Sequence, residues 1–198
     1  MNVETLVPKS ESDVREVLLS ETESLHIAGG QSRLLPTEKK IISTAQLNGI
    51  VEYEPGALTM VAKAGTPLSV IKDALKKENQ QLAFEPPDMK HLLRLPGNST
   101  IGGVFATNAS GSRRIQVGAA RDHLLGVRFV DGLGRILKNG GRVMKNVTGY
   151  DLVKLMAGSW GTLGVITEVS FKVLPIAETQ STLKINSCDA NILTKAIN

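Results

Sequence analysis

The residues best suited to chemistry in this sequence form a short glycine loop, AGGQS, at residues 28–32. The loop follows an apolar run, Leu25 to Ala28, that is typical of a buried strand. Because glycine allows backbone conformations closed to other residues, successive amides there can turn into one concavity and bind phosphate oxygens. Ser32 adds a hydroxyl donor and Gln31 adds a side-chain amide. The loop is therefore a candidate anion cradle, and a plain turn between two strands is the alternative.

Three more glycine clusters follow: GNSTIGG at 97–103, ATNASG at 106–111 and GSWGTLGVIT at 158–167. Other phosphate and catalytic motifs are missing. The sequence has no GxxxxGK[ST], HExxH or GxSxG, and its GLGRIL segment lacks the third glycine of a Rossmann fingerprint. His26, His91 and His123 are far apart, so each is expected to be a surface or structural residue, and no metal site is predicted.

The composition excludes several classes of function. The net charge is +4, and the basic residues are scattered in short doublets such as Lys39-Lys40, which argues against nucleic-acid binding. Cys188 is the single cysteine and has no partner for a disulfide within the chain. The polar N-terminus is not a signal peptide, and no apolar run reaches 18 residues. We therefore expect no membrane span and a cytoplasmic location.

The elements that must position these clusters divide the chain into two parts. Residues 1–90 predict a first α/β lobe, with strands over LHIA, KIIST, GIVEYEP and LTMVAKAG. A capping box at Ser10 and Asp13 starts one helix, and Thr66 is expected to cap a second, with Pro67 at its first position. This lobe carries the candidate anion cradle.

Residues 91–176 predict a second lobe. The stretch 95–114 is too rich in glycine for a regular core element, LLGVRFVDGLGRILK predicts a hairpin, and GTLGVITEVSFKVLP predicts a long strand. A short helix is predicted over GYDLVKLMAGS, and the residues expected to face inward are Leu152, Leu155 and Met156. The tail, 177–198, resembles a strand and the start of a helix, as if a missing or truncated substrate or cap domain began there.

The order of the clusters carries a family resemblance. AGGQS, then TIGGVFATNASG, then KNVTGYDLVKLMAGSWGTLGVIT resembles the FAD-linked oxidase family, whose members share the vanillyl-alcohol-oxidase or PCMH type of FAD-binding domain. The resemblance runs from about residue 3 to about residue 175, and RRIQVGAARDHLLGVRFVDGLGRILKNGGRVMKNVTGYDL looks most like the glycolate oxidase branch. It implies an α+β fold in which two α/β lobes hold FAD between them.

The same resemblance implies which residues contact FAD. Residues 28–33 would cradle the pyrophosphate, 96–103 would run beside the flavin, 106–111 would line the dinucleotide, and 161–166 would pack against the adenosine. Small side chains there would leave room for a long, flat cofactor, and tight packing between the lobes is the alternative. The implied cofactor-binding residues are Ala28, Gly29, Gly30, Gln31, Ser32, Arg33, Pro96, Gly97, Thr100, Ile101, Gly102, Gly103, Thr107, Asn108, Gly111, Gly161, Val165 and Ile166.

Two positions depart from the family pattern. Gln31 stands where some relatives carry a histidine that attaches FAD covalently, so we predict that FAD is non-covalent here. Trp160 stands where close relatives often carry an acidic residue. Its indole is expected to pack in the core, with contact to a partner or to the adenosine as the alternatives.

By resemblance, the chain is an FAD-dependent oxidoreductase subunit of a glycolate-oxidase-like complex, oxidising a small 2-hydroxy acid by hydride transfer to the flavin. The implied partners are the complex's flavin and iron–sulfur subunits, through which the protein could sit at a membrane surface. No catalytic base is identified; Arg113 and Arg114 are either a carboxylate-binding or partner-binding pair or an exposed pair, and Lys145 and Asp151 are expected to be structural. The alternatives are a flavin-binding or assembly module without catalysis, and a module for another nucleotide.

Overall fold

The computed structural model describes residues 3–33, 37–142, 149–182, 184, 186, 194 and 195, with the backbone alone for residues 91 and 92. The fold is α+β. Its strands are β1 (Thr5–Leu6), β2 (His26–Ala28), β3 (Ile41–Ser43), β4 (Ile50–Glu54), β5 (Thr59–Lys63), β6 (Gln80–Gln81), β7 (Leu124–Val130), β8 (Ile136–Gly140), β9 (Val165–Lys172) and β10 (Leu174–Pro175). Its helices are α1 (Glu11–Ser20), α2 (Leu68–Lys77), α3 (Lys90–Leu93), α4 (Ile101–Ala106), α5 (Arg114–Val117), α6 (Ala120–His123) and α7 (Leu152–Met156), with a 3-10 turn at Pro55–Ala57.

A small parallel sheet, in the order β1-β3-β2, forms one side of the molecule. Its register pairs His26 with Ile41 and Ala28 with Ser43. Because parallel strands end at the same edge of a sheet, the chain leaves β2 and β3 side by side. The loop after Ala28 and the residue after Ser43 are therefore neighbours, and Thr44 N donates to Ala28 O at 2.8 Å.

Helix α1 begins as its capping box predicts. Ser10 Oγ accepts from Asp13 N at 3.1 Å, and the Asp13 carboxylate accepts from Ser10 N at 3.1 Å. The next residue, Glu11, accepts from Arg128 Nε of β7 at 2.9 Å and from Thr167 Oγ1 of β9 at 2.6 Å. The Arg128 hydrogen bond is the main reason that the pKa of Glu11 lies below its ordinary value. The start of α1 is thus fixed to the larger sheet.

The larger sheet is antiparallel and has the order β4-β5-β9-β7-β8. The predicted hairpin is confirmed by β7 and β8, whose register pairs Val130 with Ile136. Strand β9 lies in the middle, between β5 and β7. Since β4 and β5 precede residue 90 and β7 to β9 follow it, the expected lobe division at residue 90 does not separate one sheet from the other.

One core packs against the larger sheet, and it includes the predicted inner face of α2. Leu68, Ile71 and Leu75 are all buried there. Full burial of such a side chain stabilises the fold by about 1.5–3 kcal/mol. A second cluster joins Val14 of α1 and Ile42 of β3 to the larger sheet and so connects the two sheets.

The expectation that residues 95–114 form no regular core element is wrong. Residues 101–106 form helix α4, whose Ile101, Val104 and Phe105 are completely buried. Thr100 is the N-cap residue, and its hydroxyl accepts from Gly103 N at 3.4 Å. The apolar spacing of IGGVFA, with apolar residues at positions one, four and five, carried a helical signal that the two glycines obscured.

Two smaller predictions also need correction. Thr66 does not cap α2, because its hydroxyl donates to Lys63 O at 2.7 Å and accepts from Gly49 N at 2.9 Å, and Pro67 is the N-cap residue. Leu155 of α7 is 56% exposed, and Val153 occupies the inner face with Met156. Asp151 has the expected structural role, since its carboxylate caps α7 by accepting from Lys154 N at 3.0 Å.

Some predictions fall on other parts of the chain. Lys145 and Cys188 lie outside the described residues, as does most of the tail after residue 182. In the described part, no helix is long and apolar enough to cross a bilayer. Within the same residues, no three His, Cys, Asp or Glu side chains come together as a metal-binding group.

Candidate functional site

A cleft opens where the small sheet meets α4 and the start of β9. Its volume is about 900 Å³, including its open mouth. The site is open to solvent on one side, so it is a cleft along which an extended ligand could lie and not an enclosed cavity. The residues that line it are His26, Ile27, Ala28, Gly29, Gly30, Gln31, Ser32, Arg33, Thr44, Ala64, Thr100, Gly102, Gly103, Ala106, Thr107, Trp160, Gly161, Gly164 and Ile166.

The loop of residues 29–33, here called the cradle loop, contributes free amide groups to this cleft. Among the described residues, none accepts a hydrogen bond from the backbone amides of these five positions. Gln31 has a φ of +58°, in the left-handed region. Such a residue among ordinary conformations turns neighbouring amides toward one point and forms an anion-binding concavity. The loop lines the cleft and carries backbone donors that have no acceptor among the described residues.

The glycines of this loop have a different role from the one that the sequence suggested. A Cβ on Gly30 would collide with the carbonyl oxygen of Asn98, and a Cβ on Gly29 would collide with Thr100 Oγ1. Gly97 in turn packs on the backbone of Gly30 and Gln31. These glycines let two backbone segments approach one another, so the alternative of tight packing holds for their α-carbons. The amides, not the missing side chains, are what the loop offers to a ligand.

Arg33 brings a positive charge to the same end of the cleft. Its guanidinium donates to Pro87 O at 2.8 Å and approaches Thr107 Oγ1 at 3.4 Å. Burial lowers the pKa of Arg33 below its ordinary value, and the charge of Asp88 opposes this only in part. Among the described residues, no carboxylate pairs with Arg33 within 4 Å. The cation is thus held in place and can pair with an anion that enters.

Helix α4 forms the floor of the cleft. Gly102 faces away from the open space, since a Cβ there would lie 2.5 Å from the Ala64 Cβ. Gly103 faces the cleft, where the nearest atom to an added Cβ is Thr100 Oγ1 at 3.2 Å. Thr107 closes the helix by donating from its hydroxyl to Gly103 O at 2.8 Å. Gly102 therefore allows close packing on Ala64, and Gly103 leaves space in the cleft.

The remaining wall is the segment 158–166, which has positive φ at four positions: Gly158, Trp160, Gly161 and Gly164. Gly161 packs directly on Ile27, 2.8 Å from an added Cβ to the Ile27 Cβ. The expectation of a core-packed Trp160 is wrong, because the side chain is 59% exposed and lines the mouth of the cleft.

Twelve of the eighteen residues predicted for the site line the cleft, and six do not. Ile101 and Val165 are buried in the two cores. Asn108 accepts from Arg121 N at 2.9 Å, and Gly111 packs on Glu85. The two others outside the lining are Pro96 and Gly97.

Seven lining residues are not among the eighteen: His26, Ile27, Thr44, Ala64, Ala106, Trp160 and Gly164. Ala106 and Gly164 nevertheless fall within the predicted ranges 106–111 and 161–166. Thr44 carried a usable signal, because it follows β3, whose end must lie beside the end of β2 in a parallel sheet. Ala64 follows β5, but its place beneath α4 depends on a contact with Gly102 that no local pattern encodes.

Groups that could move a proton are scarce in the cleft. Of the described lining residues, only His26 and Arg33 have ionisable side chains. His123 lies elsewhere in the core, with its ring tilted against Phe84 and the ring centroids 5.1 Å apart, and burial lowers its pKa. Arg113 approaches Glu85 at 3.8 Å on the surface. No described carboxylate lines the cleft.

Comparison with known proteins gives this cleft a family context. A family model described as FAD binding domain matches residues 5–140. The chain is 42% identical over 160 residues to glycolate oxidase subunit GlcE of Escherichia coli, covering 79% of this chain and 44% of that protein. It is 35% identical over 149 residues to glycolate oxidase subunit GlcD of Bacillus subtilis, covering 75% of this chain and 30% of that protein. The chain therefore spans less than half the length of these relatives.

The solved structure of an alkyldihydroxyacetonephosphate synthase shares the fold. The two chains superpose with a TM-score of 0.66 over 88% of this chain and 32% of that one, at 24% sequence identity. At that sequence identity the similarity shows a shared fold alone.

Proposed function

This chain belongs to the family of FAD-binding domains, and from that premise we propose that it is the flavin-binding subunit of a glycolate-oxidase-like complex. The α+β fold and FAD as the cofactor agree with the resemblance found in the sequence. The proposed reaction is oxidation of a small 2-hydroxy acid. The proposed partners are the complex's other flavin and iron–sulfur subunits, in the cytoplasm or at a membrane surface that those partners provide.

The cradle loop is the observation that carries the proposal. Five successive amides without described acceptors, beside the half-buried Arg33, fit the two phosphates of FAD. Hydrogen bonds to a charged group contribute about 1.5–3 kcal/mol each, so a few of them would account for tight binding. We propose that the pyrophosphate lies here, the flavin along α4 and the adenosine along 161–166.

Bound FAD would supply the acceptor for a hydride from carbon 2 of the hydroxy acid. The share of this chain in that reaction is to hold the cofactor rigidly and to exclude water from its buried side. The contact between Ala64 and Gly102 beneath the cleft suits this role because it is buried and apolar. We propose that Gln31 takes no part in a covalent attachment, since its amide nitrogen is not nucleophilic.

A second candidate is a flavin-binding or assembly module without catalysis of its own. The scarcity of ionisable groups in the cleft favours it, because His26 is the single described lining residue with a side chain of the types that commonly act as a general base. In that case the base and the substrate pocket would come from a partner or from a further domain.

One experiment separates these candidates. The purified chain is incubated with FAD, passed through a desalting column, and examined by visible spectroscopy before and after glycolate or lactate is added without oxygen. Retained flavin that bleaches supports the enzyme, and retained flavin that stays oxidised supports the module. A chain that retains no flavin would overturn both. Acid precipitation should leave the flavin in the supernatant, and flavin in the pellet would contradict non-covalent binding.

A matched pair of variants tests the location of FAD. Gly103→Ala should weaken FAD binding about fivefold to tenfold because its methyl group would point into the cleft. Its stability should change little, because the tight 3.2 Å contact with Thr100 Oγ1 offsets the better helix propensity of alanine. Gly102→Ala should instead lower the melting temperature, since its methyl group would press on Ala64. Equal FAD affinity of Gly103→Ala and the unchanged chain would remove α4 from the site.

A further inference from the structure

Trp160 is the single tryptophan of the chain, and it stands where the cleft meets solvent. Its side chain is 59% exposed. Tryptophan carries a large apolar surface and is strongly buried on average in folded proteins. An indole left open at the edge of a binding cleft is thus placed to contact a ligand.

The backbone holds the indole at this position. Trp160 has a φ of +54°, a conformation that bulky residues rarely adopt. Its amide donates to Ala106 O at 2.9 Å, and Gly158 N donates to Phe105 O at 3.0 Å, so the turn is anchored to the end of α4. Residues held in sparsely populated conformations are concentrated at ligand sites. The anchored turn keeps the side chain beside the cleft.

The lining beside Trp160 has the shape and chemistry for a flat aromatic ring. Ile27, Ala106 and Gly161 are its neighbours in the lining and carry small or aliphatic side chains. The free amides belong to the cradle loop, and the Arg33 guanidinium reaches Thr107 Oγ1 at 3.4 Å, next to the Ala106 carbonyl that accepts from Trp160 N. A ligand with phosphates at the cradle loop could therefore place a flat ring against the indole and this small-residue part of the lining.

We propose that the Trp160 indole stacks on the adenine ring of FAD and adds to the affinity of this chain for ligands that contain adenine. The inference rests on the proposed binding of FAD with its adenosine along 161–166. Stacking of a base on an aromatic side chain contributes about 1–3 kcal/mol by alanine substitution, which corresponds to about tenfold or more in affinity.

The test measures binding of FAD, ADP and FMN to the apo chain by calorimetry. Trp160→Ala should weaken the binding of FAD and ADP about tenfold and leave the affinity for FMN unchanged. Trp160→Phe should restore most of the lost affinity for FAD and ADP. Tyr150→Ala, which truncates an aromatic side chain that is 88% exposed and outside the cleft lining, is the matched control and should bind as the unchanged chain does.

Fluorescence gives an independent readout because Trp160 is the sole tryptophan. ADP does not absorb tryptophan emission, so quenching by ADP reports direct contact and not energy transfer to a flavin. ADP should quench the emission of the unchanged chain. Equal ADP and FAD affinity of Trp160→Ala and the unchanged chain would overturn the stacking role, as would weakening of FMN alone. Failure of the unchanged chain to bind FAD would instead overturn the proposed function on which the inference rests.

Discussion

Two loops of this molecule have similar sequences but differ in whether their backbone amides find an acceptor within the loop. AGGQSR, residues 28–33, begins at the last residue of β2. VDGLGR, residues 130–135, begins at the last residue of β7 and connects it to β8. In the second loop, the Asp131 carboxylate accepts from Leu133 N at 3.0 Å, from Arg135 N at 2.9 Å and from Arg135 Nε at 2.7 Å. In the first loop, no described residue accepts from the five amides, and the arginine reaches only neutral oxygens.

The difference lies in one carboxylate. Asp131 stands immediately before its glycine and satisfies the donors of its own loop, so that turn needs no ligand. Ala28 stands before the glycines of the cradle loop and offers no side-chain acceptor. A glycine pattern therefore indicates a binding loop only when the loop lacks an internal acceptor for its amides.

The largest expected effect on the free energy of unfolding comes from adding a methyl group to one glycine of each loop. Gly30→Ala should lower the free energy of unfolding by about 3 kcal/mol, because the new Cβ meets the Asn98 carbonyl oxygen of a packed backbone segment. Gly132→Ala is the matched control, since an added Cβ there meets nothing within 4 Å, and it should stabilise by about 0.5 kcal/mol. Urea denaturation measures both. A Gly30→Ala chain as stable as the unchanged one would break the contrast in packing.

Removing the internal acceptor should lower the stability of the fold without changing the affinity for FAD. Asp131→Ala leaves three donors without an acceptor and should lower the free energy of unfolding by about 2 kcal/mol. The FAD dissociation constant should stay unchanged, which equilibrium titration checks. A loss of FAD affinity at constant stability would contradict the separation of the two loops.

The cost of Asp131→Ala should depend on pH. Burial alone would raise the pKa of Asp131, but the hydrogen bonds from the Arg135 side chain and the loop amides outweigh it and hold the pKa below its ordinary value. Because the folded-state pKa is the lower one, the carboxylate stabilises the fold above its unfolded-state pKa and loses this effect as the pH falls through the folded-state value. The stability difference between the two chains should therefore shrink below about pH 4.

The smallest effect on stability, with a selective effect on binding, is expected from the arginines. Arg33→Gln should raise the FAD dissociation constant about tenfold, because the proposed phosphate site loses its cation, and should change stability by less than about 1 kcal/mol. Arg135→Gln breaks the exposed pair with Asp131, costs at most about 1 kcal/mol and should leave FAD binding unchanged. Equal FAD affinity in both variants would show that the two loops do not differ in charge recognition.

Local patterns were sufficient for elements whose signals lie within a few residues. The capping box at Ser10, the β7–β8 hairpin and the inner face of α2 follow directly from short spacings. Helix α4 could not be predicted in this way, because the cost of two glycines in a helix of six residues is offset by Ala64 and the core beneath it. The insertion of β9 between β5 and β7 is likewise a long-range choice that composition does not encode.

The candidate site shows the same division. The cradle loop was visible as a motif, but which of its atoms remain open depends on Asn98 and Thr100, which approach it from a distant part of the chain. Trp160 could not be placed from the sequence, because its exposure results from a positive φ and an anchor at Ala106. Residue types indicated the chemistry, while the orientation of each group required the packed structure.

Strand β9 also has a consequence for synthesis on the ribosome. It is the middle strand of the larger sheet but follows the four other strands of that sheet along the chain. Until residues 165–172 emerge, β4-β5 and β7-β8 can pair only as two separate hairpins with unprotected inner edges. A nascent chain arrested near residue 160 has no β9 to join these hairpins. It should therefore bind chaperones and lack the cleft, and the pairing of these distant segments comes last.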